Sequence, residues 1–204
     1  MTSRRQHWED VYEAKRETDV SWFQPKPELS LALIRAHAPQ TNASVIDIGG
    51  GASSLAAALL ELGYRDLAVL DISAAALERA KSNLGADAAK IEWVVADIAA
   101  WQPQRRWQVW HDRAVFHFLT DTASQDAYIR ALHAATETGG IAIISGFAPD
   151  GPEKCSGLPV VRYDAQSLSS RIGTGFELLA GKREEHHTPG GAVQKFYYAV
   201  LRKN

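Results

Sequence analysis

Apolar residues along this chain fall into short continuous runs separated by longer stretches with helical spacing. Residues 44–48, 67–70, 91–95 and 141–147 read as buried strands, and 109–111 lies within another. Such runs, without alternation, mark strands covered on both faces. Between them, residues 53–62 are rich in Ala and Leu and end at Gly63. Ser73 is placed to cap a helix over 74–84 that Gly85 stops, and Asp121 or Thr122 opens one through Ala135, closed by Gly139 and Gly140. Strands alternating with helices predict a doubly wound, mostly parallel α/β sheet.

The two ends of the chain depart from this rhythm. Residues 5–16 and 28–38 read as helices joined by the aromatic connection 20–25. Residues 148–163 contain Pro and Gly and exceed most connections in length, which predicts a lid or substrate loop. After a helix over 164–172, residues 176–187 and 192–202 flank Thr188-Pro189-Gly190-Gly191, a hairpin turn. The expected architecture is one seven-stranded sheet ending in an antiparallel hairpin. Its expected division is a helical cap over residues 1–40 and a core over 41–204.

The composition narrows the class. The 204 residues are 46% hydrophobic and 23% charged, which fits a globular core and excludes disordered, collagen-like and coiled-coil chains. With 22 basic against 24 acidic residues, the formal charge of -2 gives no reason to expect nucleic acid as the partner. The single cysteine, Cys155, excludes an internal disulfide and a multi-cysteine zinc site. No run approaches the ~20 apolar residues of a membrane span, and the N-terminal basic residues precede no apolar stretch. A soluble, cytoplasmic protein is expected, as a monomer or weak homodimer.

The strongest chemical signal is Val45-Ile46-Asp47-Ile48-Gly49-Gly50-Gly51-Ala52-Ser53-Ser54-Leu55. A buried strand runs into a glycine turn and a helix start, an arrangement that lets backbone approach a nucleotide-like ligand. The dinucleotide fingerprint needs glycine where Ser54 stands, and Asp47 ahead of the turn would repel a pyrophosphate while attracting a cationic ligand. Asp71 ends the second strand about 20 residues past the glycines, where a carboxylate commonly binds ribose hydroxyls. Asp97 ends the third and can receive an exocyclic amine. Taken singly, Asp71 also reads as a helix cap and Asp97 as an ordinary loop acid. Together, three acids on one edge of a parallel sheet mark a ligand site.

These residues resemble the class I S-adenosylmethionine-dependent methyltransferases. By that resemblance Asp47, Gly49, Gly50 and Gly51 would wrap the methionine end of the cofactor and Asp71 would hold its ribose. Ile72 would pack on adenine, Asp97 would take its amino group and Ile98 would flank it. Ser53 stands where many members have glycine. The segment Trp110-His111-Asp112-Arg113-Ala114-Val115-Phe116-His117-Phe118 is similar to that of bacterial small-molecule members related to thiopurine methyltransferase, which also carry an Asp-Arg pair. The resemblance puts it beside the transferable methyl group.

Asp112 and His111 are thus the candidate bases, with Arg113 as their catalytic neighbour, although Asp112–Arg113 also reads as a structural ion pair. Trp22 is assigned to the cofactor, and Gln24, Phe116, His117 and Phe147 to the substrate; His117 among phenylalanines reads equally as a core histidine. Trp8 and Tyr12 are explained as well by packing as by function. His186 and His187 alternate to opposite faces of a strand, so no metal is expected. Cys155 reads as a solvent-facing thiol in the long loop.

The expected activity is methyl transfer from S-adenosylmethionine to sulfur, selenium, nitrogen or oxygen of a small acceptor. A protein-lysine methyltransferase, a non-catalytic S-adenosylmethionine-binding module and a nicotinamide-dependent oxidoreductase are the alternatives.

Overall fold

The computed structural model describes residues 3–204. Seven strands form one sheet: β1 (Ser44–Ile48), β2 (Asp66–Asp71), β3 (Ile91–Val95), β4 (Trp107–Arg113), β5 (Thr136–Phe147), β8 (Phe176–His187) and β9 (Val193–Lys203). Their order is β3-β2-β1-β4-β5-β9-β8. The first five run parallel, and β9 inserts antiparallel between β5 and β8. This is the Rossmann-like fold with a terminal hairpin that the pattern predicts.

Among the described residues the six α-helices are α1 (Arg4–Ala14), α2 (Glu28–His37), α3 (Leu55–Glu61), α4 (Ala74–Leu84), α5 (Thr122–Ala135) and α6 (Ala165–Ile172). One sheet face, with Val45, Val109, Ile143 and Val200, packs on Ile34, Leu59 and Leu77 of α2, α3 and α4. The other, with Ile46, Trp110, Ile144 and Tyr197, packs on Leu132 and Leu168 of α5 and α6. No described helix is long and apolar enough to cross a membrane.

Three expectations are corrected. α5 passes directly into β5 at Thr136, so Gly139 and Gly140 lie inside the strand rather than ending the helix. The segment 148–163 is not an open loop: β6 (Lys154–Cys155) and β7 (Leu158–Pro159) pair as a small hairpin. Cys155 on that hairpin is buried, because its side chain points inward against the sheet. Its thiol is pushed up to about 12 by burial, with the Arg113 charge opposing, and stays protonated.

Polar contacts help to fasten α1 over the edge where the parallel strands end. Glu9 accepts hydrogen bonds from the Ser73 hydroxyl at 2.7 Å and from the Ala74 and Ala75 amides at 2.9 and 3.1 Å. These amides are first-turn donors of α4 with no intrahelical partner. In return Arg79 on α4 donates to the carbonyls of Tyr12 and Lys15 at the end of α1. Each helix therefore terminates the other.

Removing the carboxylate in Glu9→Ala should cost ~1–2 kcal/mol, since backbone donors lose a charged acceptor. Amide hydrogen exchange of residues 4–14 should accelerate while that of β1 and β4 stays unchanged. Uniform acceleration across the chain would deny the latch a local role.

Candidate active site

The strand ends open onto two adjoining cavities of about 790 and 640 Å³. Tyr12, Trp22, Gly49 and Arg113 line both, so the cavities meet between the cap and the glycine turn. Asp71, Ile72 and Ile98 line the larger one, joined by Trp8, Phe118 and Phe196. Asp47, His111, Ser30 and Gln24 line the smaller.

The turn between them needs its glycines even without a ligand. Gly49 has φ +65°, and a Cβ there would overlap the Val115 side chain. Gly51 has φ +43°, and its Cβ would lie 2.6 Å from the Tyr12 hydroxyl. At Gly50 a Cβ would meet the Asp47 carboxylate at 2.6 Å. Ala114, also on the wall of the larger cavity, holds φ 73° with a Cβ, a strained conformation where β4 turns away.

Asp71 is 5% exposed and accepts from the Ser73 amide at 2.8 Å. Burial raises its carboxyl to about 7; the backbone bond from Ser73 opposes this and the Asp47 charge adds to it. Asp97 lies outside both linings. It pairs with Arg4 of α1 at 3.4 Å and accepts from the Ala99 amide at 2.9 Å. The amine acceptor expected there is thus engaged by the cap.

The β4 triplet divides between the two faces of the sheet. His111 and Arg113 face the cavities, whereas Asp112 faces α5. Asp112 is fully buried and accepts from the Val115 and Phe116 amides at 2.7 and 3.0 Å and from the Tyr128 hydroxyl at 2.6 Å. Burial raises it to about 6, against those three donors. It lines neither cavity, so the geometry corrects its assignment as a base: it anchors the turn after β4.

His111 is engaged at both nitrogens. Nδ1 stands 2.7 Å from Asp47 Oδ1 and Nε2 2.9 Å from the Ser30 hydroxyl. Arg113 donates from Nη1 to the Trp22 carbonyl at 3.0 Å and from Nε to the Tyr198 hydroxyl at 3.2 Å. Glu184 lies 3.8 Å from its Nη2, and its guanidinium stacks 4.6 Å from the Phe196 ring centre.

Of the expected substrate contacts, only Gln24 lines a cavity; its side-chain amide donates to Glu184 at 3.2 Å. Phe116 packs on Tyr128 and Tyr163 in the opposite core layer. His117 and Phe147 meet edge to face within the interior, 5.1 Å between ring centres. Burial lowers His117 to about 3, with Arg113 adding, so the ring is neutral. Here the core reading of His117 holds.

Trp8, Tyr12, Phe118, Phe196 and Ser30 are lining residues that went unassigned. Trp8 and Tyr12 sit four apart on α1, a signal that also describes plain packing. Phe118 follows Phe116 by two residues within one short turn, which turns the two rings to different layers. His186 donates from Nε2 to the Ser21 carbonyl at 2.7 Å while His187 is exposed. Among the described residues no three His, Cys, Asp or Glu side chains group as a metal site.

Residues 45–140 match the family model described as a methyltransferase domain. No curated protein matches the chain by sequence. Solved structures resemble it in fold. A SAM-dependent methyltransferase from Anabaena variabilis has TM-score 0.77 and 15% identity, covering 100% of this chain and 96% of that one. The N-methyltransferase NodS from Bradyrhizobium japonicum, in complex with S-adenosyl-L-homocysteine, has TM-score 0.72 and 14% identity, over 98% and 99%. A structure concerned with conversion of a disulfide bond into a thioacetal group during echinomycin biosynthesis has TM-score 0.77 and 21% identity, over 97% and 91%. Residues 45–140 thus match a methyltransferase-domain model, and the whole chain shares the fold of these structures.

A pH test follows from Asp71. Its carboxyl titrates near 7 when folded and near about 4 in an unfolded chain. Between those values the folded state holds the extra proton. Its stability contribution is therefore full below about pH 4 and lost as pH rises through 7. Asp71→Asn should melt above wild type at about pH 8, by ~1–3 kcal/mol, with the gap closing toward about pH 4. Melting of ligand-free protein across that range checks it, and a gap independent of pH would refute it.

Proposed function

We propose that the protein transfers the methyl group of S-adenosylmethionine to a small, partly apolar acceptor whose nucleophile is an ionised thiol. The cofactor is S-adenosylmethionine, and the residues present fit it. Asp71 would hold the ribose with its carboxylate, Ile72 and Ile98 would flank the adenine, and Asp47 would meet the methionine end beside the glycine turn. Bound there, the cofactor supplies a methyl group already activated by a sulfonium leaving group. Trp8, Trp22, Phe118 and Phe196 exclude water and hold the acceptor in line, which is the main demand such a displacement makes on the protein.

The observation that carries the acceptor reading is the state of the groups that could take a proton. Asp112 is turned away and bound by three donors. His111 is occupied at both nitrogens. Tyr12 is held protonated by burial, with the Asp71 charge adding, and Cys155 is held protonated too. Asp71 is committed to the ribose. A hydroxyl or ammonium acceptor needs a base, whereas a thiolate arrives without its proton. Arg113, a fixed cation at the junction of the cavities, favours an anionic nucleophile over an ammonium. A lysine side chain would meet two cations, Arg4 and Arg113, on the cavity wall, which disfavours a protein-lysine acceptor.

Residues 3–40 act in this reading as the cap that closes the site, with Trp22 against the cofactor and Gln24 at the acceptor side.

Turnover of methyl-labelled cofactor with size-matched thiols, phenols and amines tests the reading. Thiols should react at least tenfold faster, and a phenol or amine as best acceptor would overturn it. Asp112→Asn should lose ~2–3 kcal/mol of stability, because an amide cannot accept all three bonds. Its turnover per folded molecule should stay within about threefold of wild type, while a base role predicts a loss of ~10²-fold or more.

A further inference from the structure

The smaller cavity holds a hydrogen-bonded chain that methyl transfer itself does not use. Asp47 ends β1, His111 lies directly opposite it on β4, and Ser30 comes from α2 on the cap side. All three are at least 95% buried, at 5%, 2% and 1% exposure. His111 Nδ1 reaches Asp47 Oδ1 at 2.7 Å and its Nε2 reaches the Ser30 hydroxyl at 2.9 Å. The second carboxylate oxygen of Asp47 makes no hydrogen bond within the described residues, and Asp47 lines the cavity.

We infer that Ser30 and His111 are positioning residues that aim Asp47 at the α-amino group of the cofactor, and so make the site selective for an amino-acid tail. The inference rests on the cofactor reading above. Its physical basis is the freedom of a carboxylate at a strand end, where the side chain can turn toward any nearby donor. The Gly49 and Gly50 amides are already given to the Leu70 carbonyl, so the turn does not fix the carboxylate, and the missing Cβ of Gly50 leaves it room. A hydrogen bond from the imidazole fixes one oxygen, and Ser30 fixes the imidazole by holding its far nitrogen. What remains for the ligand is the other oxygen, which lies against Gly50 on the lining of a cavity whose other charged residue is Arg113. An ammonium pairs with that oxygen, and a ligand lacking one leaves a buried carboxylate uncompensated. The chain therefore acts as a filter for the amino group.

Calorimetry with S-adenosylhomocysteine and its analogue lacking the α-amino group tests the inference. Wild type should prefer the amino ligand at least tenfold. Ser30→Ala should reduce that preference at least fivefold while binding the deaminated analogue as tightly as wild type does, which also reports an intact fold. His111→Gln provides a second variant, with the same pattern expected. Equal affinities for the two ligands in wild type would overturn the inference, as would a preference that survives in both variants. Parallel loss of both ligands would reduce Ser30 and His111 to structural support and overturn it too. Binding of neither ligand by wild type would instead sink the cofactor reading from which the inference starts.

Discussion

The in-register pairing of two parallel strands sets the ligand edge of this molecule. β1 and β4 lie side by side with Asp47 opposite His111 and Ile48 opposite Asp112. One register step either way would turn Asp47 toward a different neighbour and leave a buried acid without its imidazole. The same register brings the ends of β1, β2 and β4 to one level, so the glycine turn after β1 lies between Asp71 and Arg113. Buried apolar rows on both sheet faces hold that register. The polar edge is therefore positioned by a core that contains none of its chemistry.

Such an edge carries a standing electrostatic strain. Asp47 and Asp71 are both buried, and after burial itself the Asp47 charge makes Asp71 harder to ionise. A carboxyl near 7 is poised between two charge states, and pH, a ligand or a counter-charge can tip it. The cap contributes little positive charge directly at Asp71. It covers the edge instead, with Glu9 tied to the start of α4 and Arg4 to Asp97. Loop 20–25 is bound from three sides: His186 at the Ser21 carbonyl, Arg113 at the Trp22 carbonyl and Ser54 at the Gln24 carbonyl. Backbone carbonyls serve as the main fastening points, which leaves the Trp22 and Phe23 rings to line the cavities.

Much of this was legible in the chain. Unbroken apolar runs identified the parallel strands, because a strand covered on both faces has no polar face to alternate with. The turn chemistry of Thr188 to Gly191 identified the hairpin. The acids at 47 and 71 were legible because strand ends are where open α/β sheets meet ligands. What escaped is long-range. Nothing local to Ser30 says that it will meet a histidine 81 residues away. Cys155 sits in a segment whose Pro and Gly content suggests a loop, and only a two-residue strand pairing turns it inward.

The assignment of Asp112 failed for a reason that applies to any motif at a strand end. Consecutive residues in a strand point to opposite faces. His111-Asp112-Arg113 cannot all look into one site while β4 keeps its ladder, and pairing with β5 continues through Arg113. A ligand site between the cap and the sheet therefore takes the first and third residues and excludes the second. The excluded acid is not idle. Its three donors include two amides at the start of the turn that carries Ala114 into its left-handed conformation. Asp112 thereby shapes the cavity from behind, holding the turn whose strained residue forms the wall. An Asp-Arg pair read as two reacting groups becomes one group on each side of the sheet, with the arginine at the site and the aspartate maintaining the backbone that puts it there.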